Sequence, residues 1–112
     1  QAFSDAAFEI AAAKQELNAL GVDFFDLPKA SPKAEKTKAA CMQVIGYLLH
    51  EPLLLQAVHK TACLPGKTLM QELGVSSKVL ERHRKYILAG LVILGGDYPT
   101  LQGYFDTRKG VR

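Results

Sequence analysis

The chain has 112 residues, enough for one domain with a real core, and its 48% hydrophobic share excludes a disordered polypeptide. No apolar run approaches the roughly 18 residues a membrane span needs, so direct membrane insertion is not expected. Net charge is +3, which permits a nucleic-acid partner without demanding one.

Ser4 is a candidate cap for a first helix, with Asp5 in its opening turn. Alanines with Phe8, Ile10, Leu17 and Leu20 carry that helix to Gly21, a natural terminator. Val22 to Pro28 reads as a short connection, with Phe24 and Phe25 anchored in the core rather than stacking on bases. Ser31-Pro32 has the form of a cap followed by proline at the first helical position. The expected second helix runs from there to about His50, with Ala40, Val44, Tyr47 and Leu48 at helical spacing. Its entry is basic: Lys29, Lys33, Lys36 and Lys38 oppose the helix dipole. Plain solvation of these lysines is the favoured reading, and an acidic partner the alternative.

Glu51-Pro52 breaks the chain and opens a helix to about Ala62, with Leu54, Leu55 and Val58 inward. Pro65-Gly66 ends that element. A short helix follows, with Leu69, Met70 and Leu73 on its apolar side. Gly74 suits a sharp, positive-φ exit, Val75 a plug, and Ser76 or Ser77 a cap for the next helix. This order is that of a helix-turn-helix, over about residues 66–94, whose second helix lies in the DNA major groove. That second helix is expected to run without interruption from Ser77 to Leu94, where Gly95-Gly96 stops it. Leu80, Ile87, Leu91 and Leu94 form its buried stripe, and Arg84 snorkels from the edge. Ile87 to Leu94 reads as the buried part of a core helix. Asp97 is the expected cap of a last short helix ending near Phe105, and residues 106–112 read as a frayed, disordered basic tail. With no β-alternation, the expected fold is all-α, a compact bundle of about six helices over residues 1–105.

Ser77, Lys78, Glu81, Arg82 and Lys85 fall opposite the buried stripe and form the candidate DNA-binding face. Arg82 leads, because guanidinium can grip guanine O6 and N7 together, and Glu81 can accept from a cytosine amine. Lys78 and Lys85 suit phosphates, and Ser77 either role. Lys67 and Thr68, near the start of the preceding helix, suit backbone anchoring. The competing reading is a merely solvated basic face, since helix-turn-helix patterns also occur by chance.

Cys41, Cys63, His50 and His59 match no common zinc spacing, so small thiols and half-exposed histidines are favoured over a metal site. His59 and Cys63 would share a helix face only if their helix continued that far. No catalytic triad, phosphate-cradling glycine loop or paired carboxylates can be placed, and His83 among cations makes a poor general base. An enzyme is therefore not expected, nor any cofactor.

Ser31-Pro32-Lys33, Leu64-Pro65, Leu73-Gly74-Val75-Ser76, the run Leu80-Glu81-Arg82-His83-Arg84-Lys85-Tyr86-Ile87, and Gly96-Asp97-Tyr98-Pro99-Thr100-Leu101 are specific in combination. Together they resemble the C-terminal domain of bacterial sigma-I type RNA polymerase sigma factors. The resemblance implies a cytoplasmic helical bundle that recognises the promoter −35 element through Ser77, Lys78, Glu81, Arg82 and Lys85. It implies three partners: promoter DNA, the RNA polymerase core, and the cytoplasmic domain of a membrane-anchored anti-sigma factor that regulates it, in stress responses among others; the alternative is a helical interaction module that mainly binds an anti-sigma or polymerase subunit, with little sequence-specific DNA binding of its own. It also implies a separate N-terminal region; the start at Gln1, without an initiator Met or signal pattern, leads to the expectation of a fragment. Two departures stand out. Ala34 and Glu35 follow Lys33 where relatives often carry His and Arg, and Ser77 stands where Arg is common.

Overall fold

In the computed structural model, residues 2–105 are described, with side chains over residues 7–103. The expected tail at 106–112 and the capping roles of Ser4 and Asp5 lie outside those bounds. The described backbone is all-α and has no strand. Its helices are α1 (Ala2–Ala19), α2 (Leu27–Ala30), α3 (Glu35–Leu49), α4 (Pro52–Thr61), α5 (Gly66–Leu73), α6 (Ser77–Arg82), α7 (Arg84–Gly95) and α8 (Pro99–Phe105).

In α1, Ile10, Ala13 and Leu17 recur at three- and four-residue steps and face the core, and Leu20 just past the helix end continues the stripe. The helix closes as its composition demands. Gly21 has φ 78°, its amide bonds Asn18 O at 3.0 Å, and the Val22 amide bonds Leu17 O at 2.8 Å. This is a Schellman cap, and Leu17 and Val22 complete it by being buried together. Phe8 is not part of the stripe; it is 76% exposed.

The connection after α1 is more structured than its sequence suggests. Asp23 accepts from the Phe25 amide at 3.0 Å and starts a 3-10 turn over Phe24–Asp26, which leads into the four-residue α2. Only Phe24 packs against the core. Phe25 points outward, with the Lys14 ammonium 4.9 Å from its ring centre. The expectation that both rings are anchored in the core holds for Phe24 alone.

Ser31 and Pro32 do not begin α3. Ser31 closes α2 by bonding its amide to Leu27 O, and Pro32 is buried in the link. The first turn starts at Glu35, after Ala34, so it has no side-chain cap. Cys41, Val44, Ile45 and Leu48 carry α3 into the core, while Ala40 and Tyr47 lie at its margin. Pro52 opens α4 as expected, Val58 is its buried residue, and Leu54 and Leu55 pack partly buried. Ala62 ends it in the left-handed region (φ 61°), so His59 and Cys63 do not share a helix face.

The core centres on α7. Tyr86 to Ile93 are buried without a gap, and α7 packs against α1, α2, α3, α6 and α8. The expectation of a buried core helix over Ile87 to Leu94 holds through Ile93, whereas the single stripe of Leu80, Ile87, Leu91 and Leu94 is narrower than the buried surface. The unbroken apolar run from Ile87 to Leu94 leaves no polar face to turn to water, so the helix is surrounded. Leu94 is only partly buried.

Candidate nucleic-acid interface

The helix-turn-helix is built from α5, a three-residue turn and α6. Leu69 is the one residue of α5 that is fully buried, with Leu73 packed partly against the core and Met70 exposed. Gly74 takes φ 72°, a conformation nearly any side chain would strain, and its amide closes α5 on Met70 O at 3.0 Å. Val75 is buried in the angle between the helices. Ser76, rather than Ser77, supplies the cap: its hydroxyl accepts from the Val79 amide at 3.2 Å. Leu80 anchors α6 inward.

Ser77, Lys78, Glu81 and Arg82 are all exposed on α6. Ser77 with Glu81, and Lys78 with Arg82, stand four residues apart, one turn above each other. Lys67 is exposed and Thr68 half-buried in the first turn of α5. Lys85 is exposed but belongs to α7.

The expected long helix from Ser77 to Leu94 is therefore two helices with a bend at His83. The α6 ladder ends where the His83 amide meets Val79 O at 3.0 Å, and the α7 ladder starts where the Ile87 amide meets His83 O at 3.0 Å. At the bend His83 has φ −112° and ψ 25°, far from the helical ψ near −42°. Two side chains pin it. His83 Nδ1 lies 3.1 Å from Ala30 O, and because a carbonyl only accepts, this nitrogen carries the proton. Arg84 donates from Nη1 to Ala62 O at 3.2 Å. Both acceptors sit at helix ends, where carbonyls lack an intrahelical donor. The bend thus satisfies the C-termini of α2 and α4 while aiming α6 and α7 separately. Neither contact could be read from periodicity, since His83 and Arg84 reach partners 53 and 22 residues away.

Beside the bend lies an open cleft of about 360 Å³, lined by Lys29, Ala30, Ser31, Lys33, Ala34, Thr37, Arg82 and His83. Sequence reasoning grouped Lys29 and Lys33 with a solvated helix entry; the fold brings them to Arg82. The four metal candidates stay apart in character: Cys41 is buried, Cys63 exposed, and His50 Nδ1 bonds Gly46 O at 2.8 Å. Burial pushes the Cys41 thiol up to about 11, which leaves it protonated and inert at neutral pH.

No protein-family model matches the chain. Among curated proteins, it is 33% identical over 98 residues to RNA polymerase sigma factor SigI7 of Acetivibrio thermocellus, covering 88% of this chain and 42% of the relative. It is 35% identical over 103 residues to RNA polymerase sigma factor SigI of Bacillus subtilis, covering 92% of this chain and 40% of the relative. With SigI of Bacillus anthracis the identity is 31% over 88 residues, 79% of this chain and 37% of the relative. The chain spans about two fifths of the length of these relatives. Similarity of this extent, spread over an all-α domain with a helix-turn-helix, is consistent with a SigI-type RNA polymerase sigma factor domain.

Proposed function

We propose that this domain recognises the −35 element of promoter DNA, with α6 in the major groove. The observation that carries the reading is the exposure of Ser77, Lys78, Glu81 and Arg82 on the second helix of a helix-turn-helix, in a chain related to sigma factors. Arg82 is the base-reading residue and Glu81 its neighbour in readout. Lys78, Lys67 and Thr68 hold the DNA backbone, Ser77 serves either purpose, and Lys85 reaches a flanking phosphate from α7. A helix of six residues is only about 9 Å long. It therefore reads a short stretch, and the protein depends on the RNA polymerase core and on further DNA contacts for affinity. The role is that of an initiation factor rather than an enzyme.

The test is a binding selection on randomised duplexes, followed by Arg82→Ala. A single recovered motif whose binding is lost in the variant, with unchanged helical circular dichroism, supports the reading. Recovery of no motif, with equal binding to all duplexes, contradicts it.

A second role rests on a different observation. Phe8 on α1 and Leu53 on α4 are large apolar side chains left 76% and 80% exposed, and each is a candidate anchor for a protein partner. The cytoplasmic domain of an anti-sigma factor is the partner proposed for regulation. Binding of such a domain that survives Arg82→Ala and is weakened by Phe8→Ser would favour this role.

A further inference from the structure

We propose that the cleft between the α2–α3 link and the α6–α7 bend is a second DNA-contact site, which takes a backbone phosphodiester flanking the bases under α6. The inference rests on the DNA-binding reading above. Its basis is a convergence that the fold creates. Lys29 comes from α2, Lys33 from the α2–α3 link and Arg82 from the end of α6, and all three line the same open cleft. Ser31 and Thr37 line it too, and both residues carry hydroxyl groups. No acidic side chain is in the lining, although Glu35 follows directly in sequence. Lys29 and Lys33 are exposed, and among the described residues neither has an ion-pair partner. A chain of net charge only +3 thus gathers three cations around one concave space.

Geometry favours a polymer over a free anion. Arg82 belongs both to the cleft and to the exposed face of α6. A phosphate held there is therefore continuous with a duplex lying on α6. The cleft is also held in place relative to that helix. The bond from His83 Nδ1 to Ala30 O fastens the end of α2, between Lys29 and Lys33 in sequence, to the bend itself. Lys29 and Lys33 are therefore held next to the reading helix, which sets the register of a backbone contact.

The experiment compares the 112-residue chain with Lys29→Gln/Lys33→Gln and with Arg82→Ala, on a selected duplex and on a random-sequence duplex, over a range of salt. Both lysines are exposed, and far-UV circular dichroism confirms that the double variant keeps its fold. The double variant should lose affinity for both duplexes by the same factor, and its log K against log salt slope should become shallower by about two. The ratio between the duplexes should be unchanged, whereas Arg82→Ala should reduce that ratio. An unaltered salt slope in the double variant, with Arg82→Ala still destroying discrimination, overturns the cleft as a DNA site and leaves the α6 reading intact. Absence of wild-type binding to any duplex overturns both. Saturable binding of inorganic phosphate at constant ionic strength, lost in the double variant while its DNA salt slope stays unaltered, reassigns the cleft to a free anion and overturns the proposal.

Discussion

At the scale of single residues, two neighbours of unlike character decide the geometry of the interface. Arg82 projects into solvent, while His83, the next residue, turns inward to the Ala30 carbonyl. The first difference predicts function and the second predicts stability. Arg82→Ala should weaken a selected duplex by roughly 1–3 kcal/mol, the value of a bidentate base contact, and leave the urea midpoint within error. Fluorescence anisotropy and urea denaturation measure the two effects separately. His83→Ala leaves the Ala30 carbonyl without its donor and should cost about 1–3 kcal/mol in urea denaturation. The candidate residues of α6 were legible in the sequence because exposed positions follow from helical spacing. The role of His83 was not, because its partner lies 53 residues away and a histidine between two arginines reads as one more surface cation.

At the scale of elements, a recurring device is a helix end completed by a side chain from elsewhere. The N-terminus of α8 shows it best. Asp97 was the expected cap, but it is Glu9 of α1 that accepts from the Thr100 amide at 3.2 Å and the Leu101 amide at 2.9 Å. Tyr98 donates its hydroxyl to Glu16, about two turns further along the same face of α1, and Gln102 donates to Ile93 O and Gly96 O at the end of α7. Local sequence rules assign a cap to the residue just before a helix; here the third dimension supplies a carboxylate with more reach. Burial raises the Glu9 pKa, but the Leu101 and Thr100 amides outweigh it and hold the carboxyl below its usual range. A depressed folded pKa stabilises the protein above the unfolded value and loses that contribution as pH falls through the folded one. Stability should therefore drop below about pH 4.5, and Glu9→Gln should flatten that limb of a urea-midpoint against pH curve. Gly96 belongs to the same corner. An added Cβ would sit 2.7 Å from the Tyr98 ring and 2.8 Å from Val92 O, so Gly96→Ala should destabilise by roughly 1–3 kcal/mol in thermal or urea unfolding. The Gly-Asp-Tyr-Pro run is thus explained in part by packing: its glycine makes room for the ring that docks α8.

At the scale of the whole molecule, α7 is the axis on which the helix-turn-helix and the α1–α8 half are assembled. The helix inventory was largely visible in the sequence, because proline and glycine mark most of the breaks: Gly21, Pro52, Gly74 and Gly96 all lie at or next to helix ends. The break at His83 carries neither residue and was missed. The two-step entry through α2 was missed as well, because Ser31-Pro32 satisfies the same rules at the end of one helix as at the start of another. The central place of α7 makes a quantitative prediction. Leu88 lies outside the expected stripe yet is fully buried. Leu88→Ala should cost about 2–5 kcal/mol in urea denaturation, where a solvent-facing position would cost within about 0.5 kcal/mol.

The claim that joins these scales is that a bent helix pair presents α6 for sequence-specific DNA binding. The most direct measurement is the ratio of affinities of the 112-residue chain for a duplex recovered by selection and for its scrambled counterpart, at a fixed salt concentration near physiological. The account predicts a ratio well above one that collapses toward one in Arg82→Ala while the helical fold is retained. A ratio of one for the wild type, or a high ratio untouched by Arg82→Ala, would contradict it.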